Sequence, residues 1–300
     1  MTLKNKEIID IANIANTSKE EVVKYSQLYK DKTIVIKYGG HAMGDKKLSS
    51  SFAKNIVSLK KLGINPVLVH GGGPQIGSML DKLKIKSSFI NGLRITSEEI
   101  VDIVEMVLAG SINKNIVSKI NAVGGLAVGL SGKDANLIIA KKLISHIKDQ
   151  NSNIEKVLDI GFVGQPVKIN SSIINTVSKA GFIPVISPIG LGEKGETFNI
   201  NADTAAGSIA SALKADRILL LTDVPGVLDK NKKLVSTLSK NQIENMINNN
   251  IITGGMIPKI KTCIDTLNSG TKAAVIIDGR VPNAILKEIL TDVGSGTLIS

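Results

Sequence analysis

Two short runs rich in β-branched residues, Thr33-Ile34-Val35-Ile36 and Pro66-Val67-Leu68-Val69, end in glycine turns and then give way to helical spacing. The turns are Lys37-Tyr38-Gly39-Gly40 and His70-Gly71-Gly72-Gly73-Pro74. A strand that closes in glycine and opens a helix leaves few options, because the next strand must lie parallel with the helix crossing over its face. The alternation continues. Strands are expected at 126–130, 137–140, 182–186, 217–221 and 273–277, and helices at 48–62, 74–83, 171–179, 202–213, 240–248, 258–269 and 283–290. A helical stretch from 98 to 122 is expected to break near Gly110-Ser111, and 143–169 reads as strands and hairpins with polar turns. The fold class is therefore α/β, a largely parallel sheet covered on both faces.

Ahead of this pattern, Ile8, Ile11, Ala12 and Ala15 hold helical spacing, and Thr17-Ser18 before Glu20-Glu21 resembles a capping box restarting a helix with Val22, Tyr25 and Tyr29 on one stripe. The chain divides into an N-terminal helical arm (1–30), an acceptor-substrate-binding lobe (31–190) and a nucleotide-binding lobe (191–300). The soft boundary falls where Gly190, Gly192 and Gly195 cluster. No apolar run is long enough to span a bilayer, and Lys4, Lys6, Glu7 and Asp10 do not suit a signal peptide, so a cytoplasmic protein is expected. A single cysteine, Cys263, fits a reducing compartment and reads as packing. The formal net charge of +11 invites a nucleic-acid reading, but with 3% aromatics, no tryptophan and scattered lysines no nucleic-acid partner is expected. His41, His70, His146 and Cys263 form no ligand spacing, so no protein-held metal is expected.

The glycine turns bring backbone N–H groups close to an anion at a helix N-terminus. Lys37 stands at the carboxyl end of the first strand, where open α/β sheets place ligands. Lys259 follows Gly254-Gly255-Met256-Ile257-Pro258 and opens a helix, so two lysines from the two halves can clamp a phosphoryl group. Asp203, four positions after Asn199 in Phe198-Asn199-Ile200-Asn201-Ala202-Asp203-Thr204, can hold the lysines in place, and the Asn199 amide can bind substrate. Arg94, after a hairpin turn at Asn91-Gly92, can fork a carboxylate. No general base accompanies this set. A carboxylate acceptor with a pKa of roughly 4.3 needs none at neutral pH, which points to an acyl phosphate product.

The segments KYGGHAM, VHGGGPQI, NGLRIT, FNINADTAA, LLTDVPGV and GGMIPK, in order from Leu28 to the C-terminus, resemble the acetylglutamate kinases of the amino-acid kinase family. The resemblance implies a three-layer αβα sandwich that phosphorylates the γ-carboxylate of N-acetyl-L-glutamate with ATP and Mg2+ in arginine biosynthesis, the metal being carried by the nucleotide. It implies that Lys37 and Lys259 stabilise the transition state, organised by Asp203. Gly72, Gly73, Arg94 and Asn199 would bind the acceptor. Gly39 and Gly40 would face the phosphates, and Asp223, Val224, Pro225, Gly226, Val227, Leu228, Ile251, Ile252 and Thr253 would contact the nucleotide. The N-terminal helix and the ending Asp278-Gly279-Arg280…Glu288…Gly294 resemble the arginine-inhibited, hexameric branch, implying an inhibitor site with Tyr25, Asp278, Glu288 and Gly294. Leu290 departs from that branch, which often carries phenylalanine there. A homo-oligomer follows, a dimer or a trimer of dimers, and a PII-type signalling protein docks on some relatives. Two alternatives stand beside this reading. One is a kinase of the same fold for a longer acylated diacid or a carrier adduct, since one methylene gives little discrimination. The other is a non-catalytic regulatory subunit, against which the two lysines and Asp203 argue.

Overall fold

The computed structural model describes residues 5–39, 43–90, 92–148 and 155–300, with side chains described outside 145–157. Two helices, α1 (Asn5–Ala15) and α2 (Lys19–Leu28), precede β1 (Thr33–Tyr38), α3 (Lys46–Lys61), β2 (Asn65–His70) and α4 (Gly73–Lys82). A short hairpin, β3 (Phe89–Ile90) and β4 (Leu93–Arg94), leads to α5 (Glu98–Glu105), a π-helical segment (Met106–Ile112) and α6 (Asn113–Ala122). Then come β5 (Ala127–Ser131), the long hairpin of β6 (Ile138–Lys148) and β7 (Glu155–Ile169), α7 (Ser172–Lys179), β8 (Ile183–Ser187), β9 (Ile189–Leu191) and β10 (Thr197–Ile200). The last part holds α8 (Ala202–Ala212), β11 (Arg217–Thr222), β12 (Thr237–Leu238), α9 (Lys240–Asn248), α10 (Met256–Asn268), β13 (Ala273–Asp278), α11 (Ala284–Leu290) and β14 (Gly296–Ile299).

Eight strands form one sheet in the order β12-β14-β13-β11-β1-β2-β8-β5. Its pairings are parallel except that of β13 with β14. The alternation of side chains along these strands divides the core in two. Ile34 and Ile36, with Leu219, Leu221, Val275 and Ile277, pack against Phe52, Ile56, Ile120 and Leu286 of α3, α6 and α11. Val35, with Val69, Leu220 and Ile276, packs against Ala206, Ile209, Ile260 and Cys263 of α8 and α10. Each fully buried aliphatic side chain contributes roughly 1.5–3 kcal/mol, so a one-residue slip of β1 would exchange the two faces at prohibitive cost. The three-layer α/β architecture expected from the sequence is the one observed.

The central strands and most helices lie within two residues of their expected bounds. The differences have local causes. The stretch from 98 to 122 does not break at Gly110; it runs through a π-helical segment, which absorbs the irregularity without releasing the backbone. The glycines at 190 and 192, near the expected soft boundary, have a packing role. They sit in and beside β9, where a Cβ on Gly190 would come 2.6 Å from Ile200 and one on Gly192 2.8 Å from Phe198, so their role is close packing against β10. The strand β14, four residues long and lying between β12 and β13, has no expected counterpart. At the N-terminus Ser18 caps α2 by accepting from the Glu21 N–H, and Ile11, Ala12, Ala15 and Val22 join the core on the α11 side. No helix among the described residues is long and apolar enough to cross a membrane.

Candidate active site

Because Val35 faces α8 and α10, Lys37 two residues on faces them too, at the carboxyl end of β1. Asp203 meets it from the first turn of α8, whose N-cap Asn201 accepts from the Asp203 and Thr204 N–H groups at 2.9 and 3.2 Å. Lys259 comes from the first turn of α10. The Lys259 ammonium donates to Asp203 Oδ2 at 2.7 Å, and Lys37 Nζ lies 2.9 Å from Oδ1, a charge contact without hydrogen-bond alignment. Burial pushes the Asp203 carboxyl up, but the charges of Lys37 and Lys259 outweigh it, and the carboxyl titrates below its ordinary range. Gly39 leaves room for this arrangement, since a Cβ there would stand 2.9 Å from Lys37 Nζ and displace the ammonium. Gly40 lies outside the described residues.

A second cluster forms around β4 and β10. Arg94 is buried, with Nη2 donating to the Gly73 carbonyl at 3.0 Å, Nη1 donating to Ser87 Oγ, and its guanidinium 4.5 Å from the centre of the Phe89 ring. Burial lowers its pKa, opposed by the charge of Asp81. Asn199 donates through Nδ2 to Thr96 Oγ1 at 3.3 Å, and Thr96 Oγ1 donates in turn to the Arg94 carbonyl at 2.8 Å. The structure thus links Arg94 and Asn199 through Thr96, and brings Gly73 to Arg94. Gly72 sits against the π-helical segment, where an added Cβ would come 2.4 Å from Ile112 and 2.6 Å from Leu108.

Asp223 to Leu228 follow β11, the strand beside β1; the Thr222 hydroxyl donates to Asp223, and the Val227 N–H donates to Thr297 Oγ1 at 2.8 Å. Ile251, Ile252 and Thr253 precede α10, with Thr253 exposed and the Ile252 side chain in the core. The four residues read as an inhibitor site are arranged differently. Glu288 is buried beside Gly294, accepts from Arg217 Nη1 at 3.3 Å and from the Ser295 N–H at 2.7 Å, and has its carboxyl pushed up by burial. Tyr25 donates to Asp292, and Asp278 is held by a two-pronged contact from Arg280 at 2.8 and 2.9 Å. Among the described residues no group of three His, Cys, Asp or Glu side chains converges as a metal cage. A cavity of about 310 Å³ lies across β1 from the lysines, lined by Tyr38, Phe52, Gln75, Ile112 and Lys119, and contains none of the site residues expected from the sequence.

Two functional partners escaped the sequence reading. Asn201 was recognisable, since an asparagine two residues before a helical aspartate is an N-cap signature. Thr96 stands within the NGLRIT segment but carries no signal of its own, because its partner is contributed by another strand.

The profile of the amino acid kinase family matches residues 32–278. Acetylglutamate kinase of Rhodospirillum centenum is 57% identical over 279 residues, covering 93% of this chain and 92% of that protein. Acetylglutamate kinase of Rhodospirillum rubrum is 58% identical, over 93% and 90%. Among solved structures, smu.665 from Streptococcus mutans has a TM-score of 0.73 at 30% identity over 89% of this chain and 98% of that one. N-acetylglutamate synthase from Neisseria gonorrhoeae has a TM-score of 0.80 at 22% identity; it covers 94% of this chain, which spans 62% of that longer one, and speaks for the fold alone. With the two lysines and their aspartate gathered at the carboxyl edge of a parallel sheet, and the profile running over most of its length, the chain belongs to the amino acid kinase family.

Proposed function

We propose that the chain transfers the γ-phosphoryl group of ATP to the γ-carboxylate of N-acetyl-L-glutamate, giving the 5-phosphate in arginine biosynthesis. The observation that carries the reading is the Lys37–Asp203–Lys259 cluster, two cations around one anion at the end of β1. A carboxylate oxygen of the acceptor attacks the γ-phosphorus while the bond to the leaving ADP oxygen breaks. The phosphoryl oxygens carry spread negative charge in the transition state, so placing cations matters more than moving protons. Lys37 and Lys259 supply those cations, and Asp203 keeps them from swinging apart. Arg94 takes the acceptor's α-carboxylate, Asn199 binds the acceptor through its side-chain amide, and the Gly72 and Gly73 backbone lies alongside. Asp223 to Leu228 and Ile251 to Thr253 hold the nucleotide, with Gly39 and Gly40 toward its phosphates. On this reading the acceptor lobe is 31–190 and the nucleotide lobe 191–300.

Mg2+ neutralises nucleotide phosphate charge when bound. The Asp203 carboxylate is already engaged by two lysines, and no cage of His, Cys, Asp or Glu converges among the described residues, so this reading leaves the metal on ATP. A cytoplasmic homo-oligomer, a dimer or trimer of dimers, accompanies this reading, with arginine as inhibitor near Tyr25, Asp278, Glu288 and Gly294. What supports the inhibitor site is the buried Glu288 carboxylate, which one guanidinium only partly compensates. Docking of a PII-type signalling protein belongs to the same proposal.

The test is ATP turnover by the purified protein with N-acetylglutamate, trapping the acyl phosphate as a hydroxamate. Hydroxamate that depends on N-acetylglutamate is the expected result. Turnover only with a longer acylated diacid would change the acceptor and keep the machinery, and silence with every carboxylate would end the reading.

A further inference from the structure

His70 is the last residue of β2 and completely buried, yet no step of the proposed reaction uses it. Its two ring nitrogens are both engaged. Nδ1 lies 2.9 Å from the Gly71 carbonyl, and Nε2 lies 3.2 Å from Asn113 Nδ2. The same Asn113 nitrogen stands 2.9 Å from the Val185 carbonyl and 3.4 Å from that of Leu130, so it must be the donating end of the amide. His70 Nε2 therefore accepts, and the ring proton sits on Nδ1, donating to Gly71. Burial pushes the His70 pKa down to about 4, which keeps this neutral form at physiological pH.

The consequence lies one peptide further on. In a trans peptide the C=O and N–H point in opposite directions, so fixing the Gly71 carbonyl toward His70 turns the Gly72 N–H away from it. No described residue accepts from that N–H. Leu108 and Ile112 of the π-helical segment press on Gly72 from behind, and Asn113 follows directly at the start of α6. Gly129 makes space for Asn113, since a Cβ there would stand 1.8 Å from its Oδ1. Two further bonds steady the loop: the Gly71 N–H donates to the Tyr38 carbonyl at 2.8 Å, and Arg94 holds the Gly73 carbonyl.

We infer that His70 and Asn113 are positioning residues, a buried pair that sets the Gly71–Gly72 peptide plane so that the Gly72 N–H faces the oxygen on which negative charge builds during transfer. This rests on the carboxylate-kinase reading given above. Losing an oxyanion donor outright costs about a hundredfold to a thousandfold in kcat, and mis-aiming one is expected to cost about thirtyfold.

Two substitutions separate the ring nitrogens. The Asn amide nitrogen in His70→Asn falls near Nδ1 and can still donate to Gly71. The amide in His70→Gln falls near Nε2, where it can meet Asn113 but not Gly71. The expected result is that His70→Gln loses about thirtyfold in kcat with KM for ATP unchanged, whereas His70→Asn stays within about fivefold of the parent. Equal kcat in the two variants would overturn the proposal, because a merely structural histidine would not distinguish them. Nitrogen NMR of the imidazole in the intact protein gives an answer independent of turnover. The proton on Nδ1 from pH 5 to 8 is expected, and a proton on Nε2 would sink the arrangement. Absence of turnover with N-acetylglutamate in the parent protein would count against the functional reading, while the imidazole spectrum still decides how His70 is set.

Discussion

Two buried carboxylates, Asp203 and Glu288, are similarly hidden, with side chains 13% and 6% exposed, yet they titrate in opposite directions. Burial raises both. At Asp203 two ammonium groups within 2.9 Å overcome it; at Glu288 a guanidinium at 3.3 Å and the Ser295 N–H do not. The difference teaches what each cluster is set up to receive. The first holds one more cation than anion, which on the proposed reading an arriving phosphate completes. The second holds one of each and an incompletely compensated carboxylate, which suits a further cation.

The largest test of that contrast is Asp203→Asn. It removes the anion between two lysines, and we expect kcat to fall about a thousandfold, with stability lower by about 3–5 kcal/mol in denaturant titration. A loss below tenfold in kcat would show that the lysines hold their places unaided. Next, Lys37→Ala and Lys259→Ala should each lower kcat by about a hundredfold or more, and Lys→Arg at either position should not restore it, because the planar fork does not fit a point-charge site. Steady-state kinetics at saturating substrates decides this.

The acid limb of stability sharpens the comparison in sign. Asp203 titrates lower in the fold than in the unfolded chain. Its contribution is therefore complete above the ordinary carboxylate range and lost as pH falls through its folded value. Glu288 titrates higher in the fold, so it weighs against folding at neutral pH and that penalty disappears on acidification. Glu288→Gln is expected to leave stability at pH 7 unchanged or slightly higher, and, on the inhibitor site proposed above, to weaken inhibition by arginine about tenfold. A clear loss of stability at pH 7 would mean that the Arg217 contact more than compensates burial. The smallest effect is expected at the exposed Lys24–Asp292 pair, where Lys24→Ala should not measurably shift Tm.

Much of this was legible in the chain itself. The alternation of TIVI, PVLV and RILLL with helical spacing places Lys37 at a strand end, and NADT places Asp203 in a first turn. Their meeting with Lys259 rests on β11 pairing with β1, which lets α8 and α10 share one face. What stayed hidden depends on contacts between distant segments. Thr96 joins Arg94 to Asn199 only once β10 has been laid beside β7, and Asn113 reaches His70 only because Gly129 has no side chain. The strand β14 was missed because its four residues are too few to show a period, and its place is fixed by pairing with β13.

Cys263 sits one helical turn beyond Lys259 on α10, wholly buried against α8, with burial pushing its thiol far above the usual range. As the only sulfhydryl in the chain, it turns the seam between these two helices into a built-in chemical clock. A thiol reagent can label it only during moments when α10 lifts away, so the labelling rate measures how often the Asp203–Lys259 clasp opens, and slowing by nucleotide would show that ligand closes that seam.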